Sequence, residues 1–596
     1  MLGSRRSHAS QHAAPIFTTI CQVFIEFSSA TVRRPIHAKA HALRGIWLSL
    51  ISLVVLSSSA ICEIGTHTNA KPHEQVIAYL RTHDSVKPAP LPALHPVRTV
   101  YNHEAIIPPQ CYTRTEGKFN PCYVCHQAAQ TQGENSMDDW DLQEAYSFSD
   151  LGMTNHWQNL FEDRTAKLEA ISDEAILEWI REDNYSPLAP SLEAAGFDGW
   201  VPDLENLQFA ERAFDGEGFA LDGSGWVAFN YKPFPSTFWP TNGSTDDVMI
   251  RLPQAFRSDA SGAYSRDVYV ANLAILELTI KDLAEVTTPP IDERRVGKDL
   301  DGDGALKVTH RVNRAEQYVG AAAGEHWERS MYPAGTEFLH TVRYLGIGSD
   351  GHIGPSTRLK ELRYMRKWVA YRTRVYERVY QLEGYEKELG SLPSYHYLGD
   401  KGLDNKFGWS IQGFIENPAG DLRASTYEEN LFCMGCHTSI GATIDKTFAF
   451  PRKIDGADGW GYINLQGMPD APNRGETLGE IATYLQRVGG GGEFRSNAEM
   501  QARWFKADGS LDLDKALQAE DVYALITPSV ERALELNKAY RVIVSEQDFI
   551  FGRDAFASAP GNVFRQVDAQ TAPTLAPEFQ YRWDIRLDWS EVSAGD

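Results

Sequence analysis

Two pentapeptides carry residues able to do chemistry together: Cys122-Tyr123-Val124-Cys125-His126 and Cys433-Met434-Gly435-Cys436-His437. Both read C-x-x-C-H, the attachment signature of a c-type haem. Two thiols three residues apart on an incipient helical turn reach the two vinyl groups on one porphyrin edge. The histidine that follows turns its imidazole to the proximal face of the iron. With 7 Cys and 17 His in 596 residues, chance supplies about 0.002 copies of the motif, so two copies are no accident. A four-cysteine zinc site built from the two C-x-x-C knuckles is the competing reading. It leaves a histidine after each knuckle without a role. A thioredoxin-like redox pair needs a βαβ setting that neither motif has.

The expected cofactors are therefore two haem c groups, bound through Cys122, Cys125, Cys433 and Cys436, with His126 and His437 as axial ligands. Sixth ligands are less defined. Met468, in Gly467-Met468-Pro469, lies 31 residues after His437. For the first iron the candidates are His103, Met137, Met153 and His156. His326, His340 and His396 are possible distal groups.

Haem of this kind is attached outside the cytoplasm, so an export signal is expected. Arg33, Arg34, Lys39 and Arg44 precede an apolar run from Ile46 to Leu56, and Ser58 and Ala60 form an A-x-A-like cleavage site. General secretion to the periplasm or medium follows. A twin-arginine route would carry folded cargo, which haem attachment disfavours. Ile61 stands where lipidation of Cys62 wants a small residue, which argues against a lipid anchor there. No later run is long and apolar enough to span a membrane, so the mature chain is expected to have no span. Cys62 and Cys111 are the cysteines left over, and a disulfide between them would tie the N-terminal arm to the first haem region. The formal charge of −23 becomes −28 once the six Lys/Arg and one acid of residues 1–60 are removed. A surface this acidic excludes nucleic acid as an electrostatic partner.

Other stretches must position these groups. Ser172-Asp173-Glu174 caps a short helix carrying Ile176, Leu177 and Ile180, and Ser425-Thr426-Tyr427-Glu428 has the form of a capping box that starts a helix toward Cys433. From Ser356 to Glu388 the apolar residues Leu359, Leu362, Met365, Val369, Val375, Val379 and Leu382 recur at helical spacing, which predicts the longest helix. Asp299, Asp301, Asp303 and Gly304 form a D-x-D-x-D-G run, with the Ala305 carbonyl following, as in the first half of an EF-hand calcium loop. His310 stands where that loop wants a bidentate glutamate, so calcium here would be a structural clip completed from elsewhere.

At the two pentapeptides the chain resembles dihaem c-type cytochromes. The resemblance implies a mainly α fold with long irregular loops and two cytochrome c-like haem-binding regions in a multidomain chain. The regions expected are a signal region (1–60), an N-terminal arm (61–100), a first haem domain (101–240), a middle region with the calcium-type loop and long helix (241–400), and a second haem domain with the C-terminal region (401–596). The function implied is electron transfer through two covalent haems, with a redox protein as partner. The alternative is a dihaem peroxidase or oxygenase, with one open-site haem and one electron-transfer haem.

Overall fold

The computed structural model describes residues 100–590 apart from 129–136, 147, 237, 390–392 and 491–492. Its strands in chain order are β1 (Val227–Ala228), β2 (Thr245–Arg251), β3 (Glu285–Asp292), β4 (Val308–Asn313), β5 (Glu337–Ile347), β6 (Ile353–Lys367), β7 (His396–Tyr397), β8 (Leu403–Asp404), β9 (Trp409–Glu416) and β10 (Leu422–Ala424). Eight of them make one antiparallel sheet in the order β1-β2-β5-β6-β9-β8-β7, with β10 also on β9; β3 and β4 pair separately. The expectation of a mainly α chain with two cytochrome c-like regions is thus corrected. A large sheet organises the described residues, and short helices and loops are laid over it.

The central strand β6 shows why the sequence misleads. It occupies the first half of the expected helix, and only Thr373–Glu388 is helical. Arg343 pairs with Leu359 while Val342 pairs with Glu361, leaving Lys360 as an extra residue. This bulge puts Leu359 and Leu362 on one face of the sheet, beside Leu339, Tyr364 and Phe414. Three-residue spacing therefore imitates a helix. The strand is also buried on both faces, so its cations cannot mark a solvent side. Arg358 pairs with Glu416 at 3.0 Å and Lys367 with Asp445 at 2.5 Å.

One face of the sheet packs on Trp226, Leu188 and Leu192. The other, carrying Phe338, Met365 and Ile411, shares a core with the helix Arg266–Lys281 and with Tyr123, Val124, Cys433 and Met434. The two pentapeptides therefore lie in one apolar core against one sheet face. The helix Arg266–Lys281 starts where the Ser265 hydroxyl accepts the Val268 N–H and is buried almost all round. Its one acid in the second half, Glu277, meets Lys453 at 2.8 Å, as a charge without water requires.

Local signals place the short helices well. Asp173–Trp179 begins with the Ser172 hydroxyl accepting from Ala175 N at 3.2 Å. Tyr427–Leu431 begins with a reciprocal box between Thr426 and Glu429, one residue on from the expected pair. Glu428 is thereby freed to accept N–H bonds from Tyr101 (3.1 Å) and Asn102 (2.7 Å). Burial raises its carboxyl to about 7, against the pull of those two donors. A folded value above the unfolded one favours the protonated form. The contribution to stability is full below about 4.5 and is lost as the pH climbs through 7. Glu428→Gln should therefore gain on the wild type between pH 4.5 and 8, by on the order of 2 kcal/mol. Calorimetry across that range checks it, and two parallel curves would refute it.

Candidate functional site

Though 311 positions apart in the chain, the two pentapeptides fold into the same turn. In each, the fourth residue donates to the carbonyl of the first (Cys125 to Cys122 and Cys436 to Cys433, both 3.2 Å). The histidine N–H bonds the same carbonyl, at 3.0 Å for His126 and 3.1 Å for His437. The residue after each histidine returns its side chain to the second carbonyl of the motif: Gln127 to Tyr123, and Thr438 to Met434 at 2.6 Å. A side-chain amide caps each histidine carbonyl, Gln143 on His126 and Asn405 on His437, both at 2.6 Å.

Each imidazole is also fixed through Nδ1. His126 Nδ1 donates to Asp139 Oδ2 at 2.9 Å, and His437 Nδ1 to the Lys446 carbonyl at 2.8 Å. A backbone carbonyl can only accept, so His437 Nδ1 carries the hydrogen and its Nε2 keeps the lone pair. This is the arrangement that orients a metal-binding histidine. Burial pushes His437 down to about 4, so its imidazole is neutral at physiological pH. Phe448 stacks on it, with ring centroids 5.8 Å apart. Burial raises Cys122 and Cys436 to about 11, with Cys125 and Cys433 also raised.

The turns touch. Ala442 N donates to the Cys125 carbonyl at 3.1 Å, and a Cβ added at Gly435 would lie 2.6 Å from the Ile106 carbonyl oxygen. Glycine is required for that approach. Cys111 is a free thiol beside Cys122 and Cys436, with its pKa pushed well up, chiefly by burial. Its expected disulfide partner, Cys62, lies outside the described residues. Among the described residues, the sets of three or more ligand atoms within 4.8 Å of one another are Glu162/Glu546/Asp548 and Glu293/Asp299/Asp301. Neither contains a cysteine, whereas a four-cysteine zinc centre needs its thiols to converge.

A cleft of about 100 Å³, partly open to solvent, adjoins the second turn and is lined by Cys433, Cys436, His437, His340, Arg363 and Arg553 among others. Arg363 and Arg553 each bond Glu361 Oε2 at 2.9 Å. The thiols, the oriented His437 and a cleft beside them fit a covalently held haem. Met468 is buried in the main core, outside that cleft wall. His103, His326 and His396 are exposed, while Met137, Met153 and His156 are half-buried.

The calcium-type loop departs further from its pattern. Asp299 accepts the N–H groups of Gly302 and Gly304 at 2.7 and 2.8 Å, and Lys307 pairs with Asp303. Ala305 donates to Asp303 Oδ1 at 2.9 Å. A carboxylate oxygen of the buried Glu293, which sequence reasoning missed, lies within 4.8 Å of one from each of Asp299 and Asp301. Glu293 precedes the loop, where the EF-hand pattern looks downstream. Asp139, Gln143, Asn405 and Lys446 were missed as well, since nothing in the motif's spacing points to them.

A family model described as "-like lipoprotein" matches residues 94–523. An uncharacterized lipoprotein of Aquifex aeolicus (strain VF5) is 34% identical over 524 residues, covering 77% of this chain and 87% of that protein. No solved structure gives a significant match. The chain belongs to this lipoprotein family. Membership marks it as an exported protein, and among the described residues no helix is long and apolar enough to cross a membrane.

Family membership overturns the resemblance to dihaem c-type cytochromes. That likeness rested on ten residues, while the lipoprotein match runs through most of the described chain. The electron-transfer function and the peroxidase or oxygenase alternative fall with it.

Proposed function

We propose that this lipoprotein-family chain is a membrane-anchored haem carrier, with one haem c on Cys122/Cys125 and one on Cys433/Cys436. His126 and His437 would each ligate iron through Nε2. The observation that carries the reading is the duplicated turn, in which both imidazoles have Nδ1 tied to an oxygen acceptor. Porphyrin iron is the chemistry that such a histidine, placed directly after two thiols, is built to hold. Bound haem supplies a metal centre in the cleft; the chain supplies the thioether anchors and the fixed imidazole.

Lipidation of Cys62, disfavoured from the sequence by Ile61, is the anchor that a lipoprotein family calls for. A diacyl anchor gives two hydrophobic chains, enough for stable membrane attachment. The test is intact mass of the protein expressed with a haem-attachment system. Two haem masses that survive acid-acetone extraction support the proposal, and a chain of bare polypeptide mass overturns it. In the same preparation Cys62→Ser should move the protein from the membrane fraction to the soluble one.

Calcium at Asp299, Asp301, Asp303 and the Ala305 carbonyl, joined by Glu293, is a separate proposal. It is favoured by the placement of the buried Glu293 carboxylate within reach of two loop acids. Calcium should raise the melting temperature and Glu293→Gln should erase the rise; a melting temperature indifferent to calcium counts against it.

A further inference from the structure

We propose that His340 supplies the second axial nitrogen, facing His437 across the cleft beside Cys433 and Cys436. The inference rests on haem attachment at that turn. His340 sits in the middle of β5, opposite Val248 on β2 and Arg363 on β6, with no freedom of backbone register. It shares a strand face with Phe338 and Val342, and that face fronts the second pentapeptide.

Its Nε2 is buried without a hydrogen-bond partner. The Asp246 carboxylate lies 3.4 Å away but makes no hydrogen bond with it, and the same oxygen already accepts from the Tyr231 hydroxyl. A buried polar nitrogen left unpaired is destabilising and calls for an explanation. A metal at the centre of the cleft provides one.

Other groups on the cleft wall are poorer ligands. Lys360 donates to the Gly243 carbonyl at 2.5 Å, and Arg363 and Arg553 are held by Glu361. The Tyr540 hydroxyl is also unpartnered. It would have to lose a proton to ligate, and burial beside Glu361 and Glu416 opposes that. An imidazole ligates in its neutral form. His340 and His437 together would offer a haem iron in this cleft two imidazole nitrogens.

The experiment starts from the full-length protein, with haem on the Cys433/Cys436 peptide established by peptide mass spectrometry. Electron paramagnetic resonance and near-infrared magnetic circular dichroism are then recorded on the ferric protein. The wild type should show low-spin, bis-nitrogen ligation at this haem. His340→Ala should convert it to high-spin and open it to carbon monoxide when reduced, and added imidazole should restore the low-spin signal. Met468→Ala and Tyr540→Phe should leave the spectra unchanged.

A His340→Ala protein that retains haem at this peptide and keeps the wild-type spectra overturns the inference, as does loss of low-spin character in either control. Absence of haem from the wild-type peptide instead defeats the attachment reading itself, and the inference falls with it. Should His340→Ala not accumulate, pulsed measurements on the wild type decide the matter. Two imidazole nitrogens coupled to this iron support the assignment, and one refutes it.

Discussion

Lys367→Met should lower the free energy of unfolding by about 3–5 kcal/mol. Both Lys367 and Asp445 are fully buried, and the ammonium reaches the two carboxylate oxygens at 2.5 and 2.7 Å. The Tyr376 hydroxyl joins both groups, and Tyr332 N donates to Asp445 at 2.9 Å. Removing the lysine strands a negative charge at a fully buried site. Asp445 and Lys446 also have positive φ, 47° and 68°, in a turn whose next carbonyl holds His437. Loss of the pair should therefore loosen the second pentapeptide as well as the strand. Urea unfolding measures the effect, and adding Asp445→Asn should recover part of the loss. A single variant within 1 kcal/mol of the wild type would show that the pair does not lock this turn.

The other large effect falls on the thiols. Under the proposed attachment, Cys433→Ala with Cys436→Ala should reduce the covalent haem from two to one, and Cys122→Ala with Cys125→Ala should do the same at the other turn. Each turn makes its own internal hydrogen bonds, so each should load independently. Intact mass reads the result directly. Retention of both haems in either double variant, or loss of both from one, would contradict two separate attachment turns.

What the sequence discloses follows from how local each signal is. Ser172, Thr426 and Ser529 cap helices because a side chain meets an N–H three residues on, and that relation is written in the sequence. Gly489 ends Glu480–Val488 in a left-handed conformation, its N–H bonding the Leu485 carbonyl four residues back, which is equally local. The pentapeptides are equally local. Strand β6 is not, because the bulge at Lys360 and burial of both faces erase the alternation that reveals a strand. The oxygens that hold the two histidines differ in kind, a carboxylate for His126 and a backbone carbonyl for His437, so no motif could name them. Glu293 reaches its loop from upstream, against the order of the pattern. The lipoprotein family is carried by similarity spread along most of the chain, which no single motif discloses.

The first turn is finished by residues synthesised long after it. Trp583 donates its indole N–H to the Tyr123 carbonyl at 2.7 Å and its backbone N–H to Gln127 at 2.9 Å. Asn120 N bonds the Arg487 carbonyl at 3.1 Å. A nascent polypeptide crossing the membrane amino end first thus delivers Cys122 and Cys125 without their lid. The contacts of Trp583 form only once the last segment is present, so the core around this turn closes late in folding.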